Sequence, residues 1–230
     1  MNKVIRKINK RTRALDDHGI RAVLFDLDGV LVDAADWHKD ALNDALELFG
    51  YAPIEKKEHF KTFNGLSTKR KLDMLFNIGR IDNECWNDSI AEKKQELTVK
   101  IINERCVPVQ RIIDTVELAN KLFNGQTAVV TNCSRPTAEL MLEKSGLLHL
   151  FKFLICNEDV SGKIKPHPLP YILATERFGL KQNESLAIDD TSRGIMSAID
   201  AKCRIWRLKS FDDLTPSKLI NTLDSYRITI

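Results

Sequence analysis

The 230-residue chain has no apolar run approaching the roughly 18 residues that a membrane-crossing helix needs, which points to a soluble protein. Its first residues also lack the apolar segment of a secretory leader, an absence that argues against export. The five cysteines (Cys85, Cys106, Cys133, Cys156 and Cys203) are odd in number and include no C-x-x-C pair. That excludes a simple disulfide framework or zinc knuckle and favours a reducing, cytoplasmic setting. Internal repeats and low-complexity stretches are missing too. What is present is 43% hydrophobic and 29% charged, enough for a real core and unlike a disordered chain. This length suits one large domain, or a core with a modest insertion.

The formal charge of +3 is unevenly placed. Residues 1–20 hold six basic side chains (Lys3, Arg6, Lys7, Lys10, Arg11 and Arg13) against Asp16 and Asp17, so this extension carries +4 and the remainder −1. A near-neutral body argues against a nucleic-acid-binding protein. The extension itself reads as a solvated terminus.

After residue 20 the pattern changes. Ala22-Val23-Leu24-Phe25 is a short apolar run ending in Asp26-Leu27-Asp28-Gly29, which reads as a buried strand stopping at a loop of carboxylates. Similar runs end in Thr131-Asn132, near Cys156-Asn157 and in Asp189-Asp190, and a fifth spans Cys203 to Leu208. Between them lie helical patterns: Ile112, Val116, Ala119 and Phe123, then Pro168 to Phe178, then Ile195 to Ala201. Alternating strands and helices predict an α/β fold, a doubly wound, Rossmann-like parallel sheet. Ligands of such sheets bind beyond the carboxyl ends of the strands, where all the polar clusters fall. Residues 34–106 break the rhythm, with helix-like stretches at about 35–49, 67–77 and 87–104 and no clear strand. They read as an all-helical cap inserted into a core of residues 21–33 and 107–230.

Asp26 and Asp28 stand two apart just past a strand, and Asp189 and Asp190 follow another. Clustered carboxylates repel unless a cation joins them, and oxygen ligands without a Cys or His pattern suit Mg²⁺. Thr131 and Asn132 supply hydroxyl and amide groups, and Lys163 or Lys165 a cation. Carboxylates, Mg²⁺, a hydroxyl and a lysine are the requirements of phosphoryl transfer through an aspartyl-phosphate.

Phe25-Asp26-Leu27-Asp28-Gly29-Val30-Leu31 with Asp33 resembles the first motif of the haloacid dehalogenase-like superfamily. Val130-Thr131-Asn132 resembles its second motif and Lys165-Pro166-His167-Pro168 its third. Ile188-Asp189-Asp190-Thr191, with Gly194 and Ala198, resembles its fourth. The four occur in order across residues 21–202, and the superfamily's helical cap matches the strand-poor insertion. The resemblance implies that Asp26 is the nucleophile and a Mg²⁺ ligand. Asp28 would protonate the leaving alcohol and then activate water, while its main-chain carbonyl binds the metal. Asp190 would be a further Mg²⁺ ligand and Asp189 a ligand or its supporting partner. Thr131 and the Asn132 amide would hold phosphoryl oxygens, and Lys165 would neutralise charge. The dehalogenases of the superfamily lack the second aspartate, so Asp28 favours phosphate chemistry.

In the cap, Trp37-His38 falls where β-phosphoglucomutase-like members carry a substrate-facing histidine, and Asn64-Gly65-Leu66-Ser67 resembles their substrate loop. His38 fits substrate contact and a packed cap histidine equally; Ser67, Thr68 and Lys69 are candidate substrate contacts. Thr68 stands where mutases carry an arginine for a distal phosphate, and Lys69 and Arg70 turn to other helix faces. Lys202 stands where the family turns on glycine, so local backbone strain is expected there. The reading is a Mg²⁺-dependent phosphatase acting on a small phosphorylated metabolite such as a sugar phosphate. A sugar-phosphate mutase is the alternative, and a non-catalytic binding protein of the same fold is a more remote one.

Overall fold

In the computed structural model, which describes residues 19–63, 66–83 and 85–226, Ala22–Phe25 forms strand β1, buried along its whole length. The basic extension of residues 1–18 and the pair Asn64-Gly65 lie outside the described residues. Thr127–Val130 (β2), Phe153–Ile155 (β3), Ser185–Asp189 (β4) and Arg204–Arg207 (β5) complete one sheet in the order β3-β2-β1-β4-β5. Every pairing is parallel, with Val23 opposite both Thr127 and Leu186. β1 is therefore central, and its neighbours are the strands that end in Thr131 and in Asp189-Asp190.

Alternation along β1 sends Val23 and Phe25 into one hydrophobic cluster and Leu24 into another, so both faces need cover. Helices Gln110–Leu122 (α4), Arg135–Lys144 (α5) and Pro216–Ser225 (α8) bury Ile112, Val116, Met141, Leu219 and Leu223 in the first cluster. Leu169–Arg177 (α6) and Ser192–Asp200 (α7) bury Tyr171, Ala174 and Ala198 in the second. Between α7 and β5, Lys202 takes φ +61°, the left-handed conformation that costs a residue with a Cβ about 1–2 kcal/mol. The strain expected at this non-glycine turn is present.

The cap region is helical: Ala35–Leu48 (α1), Thr68–Asn77 (α2) and Trp86–Arg105 (α3), with a helical turn at Lys56–Glu58 running into a π-helix at His59–Phe63. Leu42, Ala45 and Leu46 of α1 form one stripe and pack with Phe63, Leu72, Leu75 and Ile90 in a third cluster. Ser67 starts α2, its hydroxyl accepting from the Arg70 N–H at 3.3 Å. Trp37, on α1, packs partly buried against the first core cluster, tying the cap helix to the sheet domain.

Candidate active site

The loop after β1 is shaped by its main chain. The N–H groups of Val30, Leu31 and Val32 converge on the Leu27 carbonyl at 3.3, 2.9 and 3.0 Å, and Gly29 turns at φ +82°. A Cβ on Gly29 would lie 2.4 Å from Asp190 Oδ2, so glycine is required both for the turn and for the approach of Asp190. The loop holds Asp26 and Asp28 at the carboxyl end of the sheet, beside the end of β4.

Lys165 joins these strand ends. Its buried ammonium donates to Asp26 Oδ1 at 2.6 Å and to Asp189 Oδ2 at 2.8 Å. Asp189 also accepts from the Tyr171 hydroxyl at 2.9 Å and, on Oδ1, from the Thr191 N–H and hydroxyl at 3.0 and 2.9 Å. Asp189 is thus fully engaged by protein donors. Asp190 is the opposite case, since its Oδ1 is buried with no hydrogen-bond partner. Burial would lower the Lys165 pKa, but Asp189 and Asp26 outweigh it and hold the ammonium well above its ordinary value. Burial raises Asp26 well above the usual carboxylate range, and Asp189, Asp190 and Asp28 add to it against Lys165. Burial and then Asp189 push Asp190 up to about 6.

Crowded carboxylates with raised pKa values and one orphaned oxygen fit a divalent cation. Oxygen atoms of Asp26, Asp189 and Asp190 lie within 4.8 Å of one another, an all-oxygen set suited to Mg²⁺. A second grouping of potential ligands, Asp28, His38 and Cys133, is internally hydrogen-bonded instead. Cys133 Sγ donates to Asp28 Oδ2 at 3.0 Å, and His38 Nε2 lies 3.1 Å from Asp28 Oδ1.

Thr131 follows β2, its hydroxyl accepting from the Cys133 N–H at 3.1 Å. The Asn132 carboxamide clasps the Lys165 main chain twice, donating to its carbonyl at 3.1 Å and accepting from its N–H at 2.9 Å. Its visible work is to place Lys165. Lys163 is exposed, as is Asp33.

On the cap side, His38 reaches down from α1. A carboxylate only accepts, so His38 Nε2 is the donor to Asp28, and Nδ1 is left to accept from the Lys94 ammonium at 3.2 Å. This requires a neutral imidazole, and burial, reinforced by Lys94, holds the His38 pKa below its ordinary value despite Asp28. Burial would raise the Asp28 carboxyl, but His38 and the Cys133 thiol hold it below its usual range. A cavity of about 340 Å³ runs between core and cap, lined by Asp26, Asp28, Thr131, Asn132, Lys165 and Asp190. The cap contributes His38, Ser67, Thr68 and Lys69 to the same lining, so every candidate except Asp189, which lies beneath, borders one space.

Sequence reasoning passed over Lys71, Lys94, His59 and Tyr171, and gave Cys133, which follows the Thr131-Asn132 pair, no nucleophilic role. Lys71 and Lys94 sit among other charged residues in the sequence, yet both are buried and line the cavity. The available signal for Lys71 was its place one helical turn after Thr68.

A family model described as haloacid dehalogenase-like hydrolase matches residues 23–207. A phosphoglycolate phosphatase of Photorhabdus laumondii is 30% identical over 189 residues, covering 80% of this chain and 78% of its own. Among solved structures, a β-phosphoglucomutase from Clostridium difficile superposes with a TM-score of 0.75 at 22% identity, covering 90% of this chain and 98% of that one. CbbY from Rhodobacter sphaeroides, determined with a xylulose bisphosphate, also gives 0.75, at 21% identity over 85% of this chain and 96% of its own.

Proposed function

Because the chain belongs to the haloacid dehalogenase-like hydrolases, we propose that it is a Mg²⁺-dependent phosphatase of a small phosphomonoester, working through an aspartyl-phosphate on Asp26. The observation that carries this reading is the Asp26 carboxylate. It sits 2.6 Å from a buried ammonium, with its oxygens and those of Asp189 and Asp190 within 4.8 Å. The phosphoglycolate phosphatase named above is a relative of matching chemistry.

In this reading Asp26, Asp190 and the main-chain carbonyl of Asp28 hold Mg²⁺, with Asp189 keeping Asp26 and Lys165 in register. The ion, when bound, neutralises charge among the carboxylates and the phosphoryl oxygens. Asp26 attacks phosphorus and the ester P–O bond breaks. Asp28, oriented by His38, must first take up a proton as the phosphate dianion enters, and it gives that proton to the departing alkoxide. Asp28 then accepts a proton from the water that cleaves the aspartyl-phosphate, releasing phosphate and restoring Asp26. Lys165 and the Thr131 hydroxyl stabilise phosphoryl charge, and Asn132 keeps Lys165 in place. Residues 34–106 serve as the cap and residues 21–33 and 107–230 as the core. Five unpaired cysteines support a cytoplasmic setting, and no described helix is long and apolar enough to cross a membrane.

The test is phosphate release from a panel of small phosphomonoesters, sugar phosphates included, with Mg²⁺. Wild type is expected to hydrolyse at least one member, and Asp26→Asn to lose at least about a thousandfold in kcat. Release from no member by wild type would overturn the reading.

A further inference from the structure

One side chain in the cavity has a chemistry that phosphoryl transfer does not call on, the thiol of Cys133. Its Sγ lies 3.0 Å from Asp28 Oδ2 and 3.8 Å from His38 Nε2, and His38 Nε2 lies 3.1 Å from Asp28 Oδ1. The three come from separate parts of the chain. Asp28 belongs to the loop after β1, Cys133 to the turn between β2 and α5, and His38 to α1 of the cap. One ligand atom from each falls within 4.8 Å of the others. All three line the space between core and cap that a substrate must enter.

A thiol is a weak hydrogen-bond donor, so orienting Asp28 gives little reason to prefer sulfur there. Converging sulfur, imidazole and carboxylate are instead a ligand set for a borderline-soft divalent cation such as Zn²⁺. A Zn–S length of about 2.3 Å and Zn–N and Zn–O lengths of about 2.0–2.1 Å put tetrahedral ligands about 3.3–3.6 Å apart. The observed separations, 3.0 to 3.8 Å, bracket that range, so small adjustments complete the site. Charge balances as well. Coordination needs the Cys133 thiolate and a free His38 Nε2. The thiol proton and the Nε2 proton leave, and the Lys94 ammonium, 3.2 Å from Nδ1, passes one proton to that nitrogen. Two protons exchange for one dication, and the cluster keeps its net charge. Three protein ligands leave the fourth position to water.

We propose that Asp28, His38 and Cys133 form an inhibitory site for a borderline-soft divalent cation, Zn²⁺, separate from the all-oxygen Mg²⁺ site. The ion takes the Asp28 carboxylate, the group that the phosphatase reading assigns to proton transfer, and ties α1 of the cap to the core. Asp26, Asp189 and Asp190 offer only oxygen, so the thiolate sorts the two ions by ligand type. Zn²⁺ therefore stops turnover without displacing Mg²⁺. The inhibition rests on the phosphatase reading; the metal site itself does not.

The test titrates the Mg²⁺-saturated full chain with Cd²⁺, whose thiolate complexes absorb in the ultraviolet. Wild type is expected to show a band that saturates at one equivalent. Cys85→Ser, which removes the exposed thiol, should keep the band. Cys133→Ser should lose it, and His38→Ala should weaken binding at least about tenfold. Zn²⁺ should inhibit phosphate release at saturating Mg²⁺, and about tenfold more Mg²⁺ should not relieve it. Cys133→Ser, measured against its own uninhibited rate, should need at least about tenfold more Zn²⁺. No band, a band that survives in Cys133→Ser, or inhibition that Mg²⁺ relieves equally in both proteins would overturn the proposal. Where Cys133→Ser does not fold, X-ray absorption of Zn²⁺-loaded Cys85→Ser decides. One sulfur neighbour at about 2.3 Å supports the site, and nitrogen and oxygen neighbours alone overturn it. A Cys133-dependent band in a protein that hydrolyses no ester would overturn the phosphatase reading and leave the metal site standing.

Discussion

His38 Nε2 lies 3.1 Å from Asp28 Oδ1, a hydrogen bond from a cap helix to the loop that carries the nucleophile. The contact orients the group assigned to general acid and base work, and it forms only where cap and core meet. His38→Ala should therefore reduce kcat by about 10- to 100-fold on an alkyl phosphate, whose leaving group needs a proton. On p-nitrophenyl phosphate, which leaves readily without one, the loss should be several-fold smaller. Equal losses on both substrates would show that His38 does not act through Asp28.

The clasp between Asn132 and the Lys165 main chain makes a second prediction. Asn132→Ala removes two hydrogen bonds, worth about 1–3 kcal/mol together, and lowers the melting temperature accordingly. Because Lys165 loses its anchor, kcat should fall by about 10- to 100-fold. Unchanged kcat would mean that Lys165 is placed by Asp26 and Asp189 alone.

Gly29 tests the cation site without touching a carboxylate. A Cβ there would meet Asp190 Oδ2 at 2.4 Å in a backbone with φ +82°, so Gly29→Ala must displace Asp190 or the loop. The Mg²⁺ concentration giving half-maximal activity should rise by about 10- to 100-fold, as for substitutions that misplace a metal ligand. Chelation with EDTA should abolish turnover in wild type, and returning Mg²⁺ should restore it.

Lys71 predicts a pH-dependent stability. Burial and Lys94 lower its folded pKa from an ordinary 10.5 to about 8, so between these values the unfolded chain binds more protons than the folded one. Stability from this group therefore rises with pH across that window, and below pH 8 the buried charge is a constant cost. Lys71→Met should be more stable than wild type at pH 7 by roughly 1–3 kcal/mol, with the gap narrowing between pH 8 and pH 10. Denaturant melts at these pH values check it, and a variant less stable at pH 7 would contradict it.

The sheet was legible because parallel strands buried on both faces leave short apolar runs, and because their polar ends mark one edge. Ala22–Phe25 and Ser185–Asp189 are both of this kind. Asp26, Thr131, Lys165 and Asp190 were legible from motif order, and the structure brings them to one cavity. Other features depend on tertiary packing, which a linear pattern does not carry. Lys71 follows Lys69 and Arg70 and reads as part of a charge run, and only the packing of α2 in the cap shows that it is buried. Tyr171 reads as an amphipathic core position, yet its hydroxyl reaches Asp189 at 2.9 Å. The π-helix at His59–Phe63 places His59 beside Lys71, a geometry that no 3.6-residue period announces. Nothing in the sequence announces that the Asn132 carboxamide clasps the Lys165 main chain through both its oxygen and its nitrogen.

The most direct test of phosphoryl transfer to Asp26 is to trap it. Protein mixed with Mg²⁺ and the best phosphomonoester of the panel is quenched in acid during turnover, digested and analysed by mass spectrometry. The account predicts that the peptide containing Asp26 gains the mass of one phosphoryl group in wild type and gains none in Asp26→Asn. Turnover with no phosphorylated peptide at any quench time, or with the label on another residue, would contradict it.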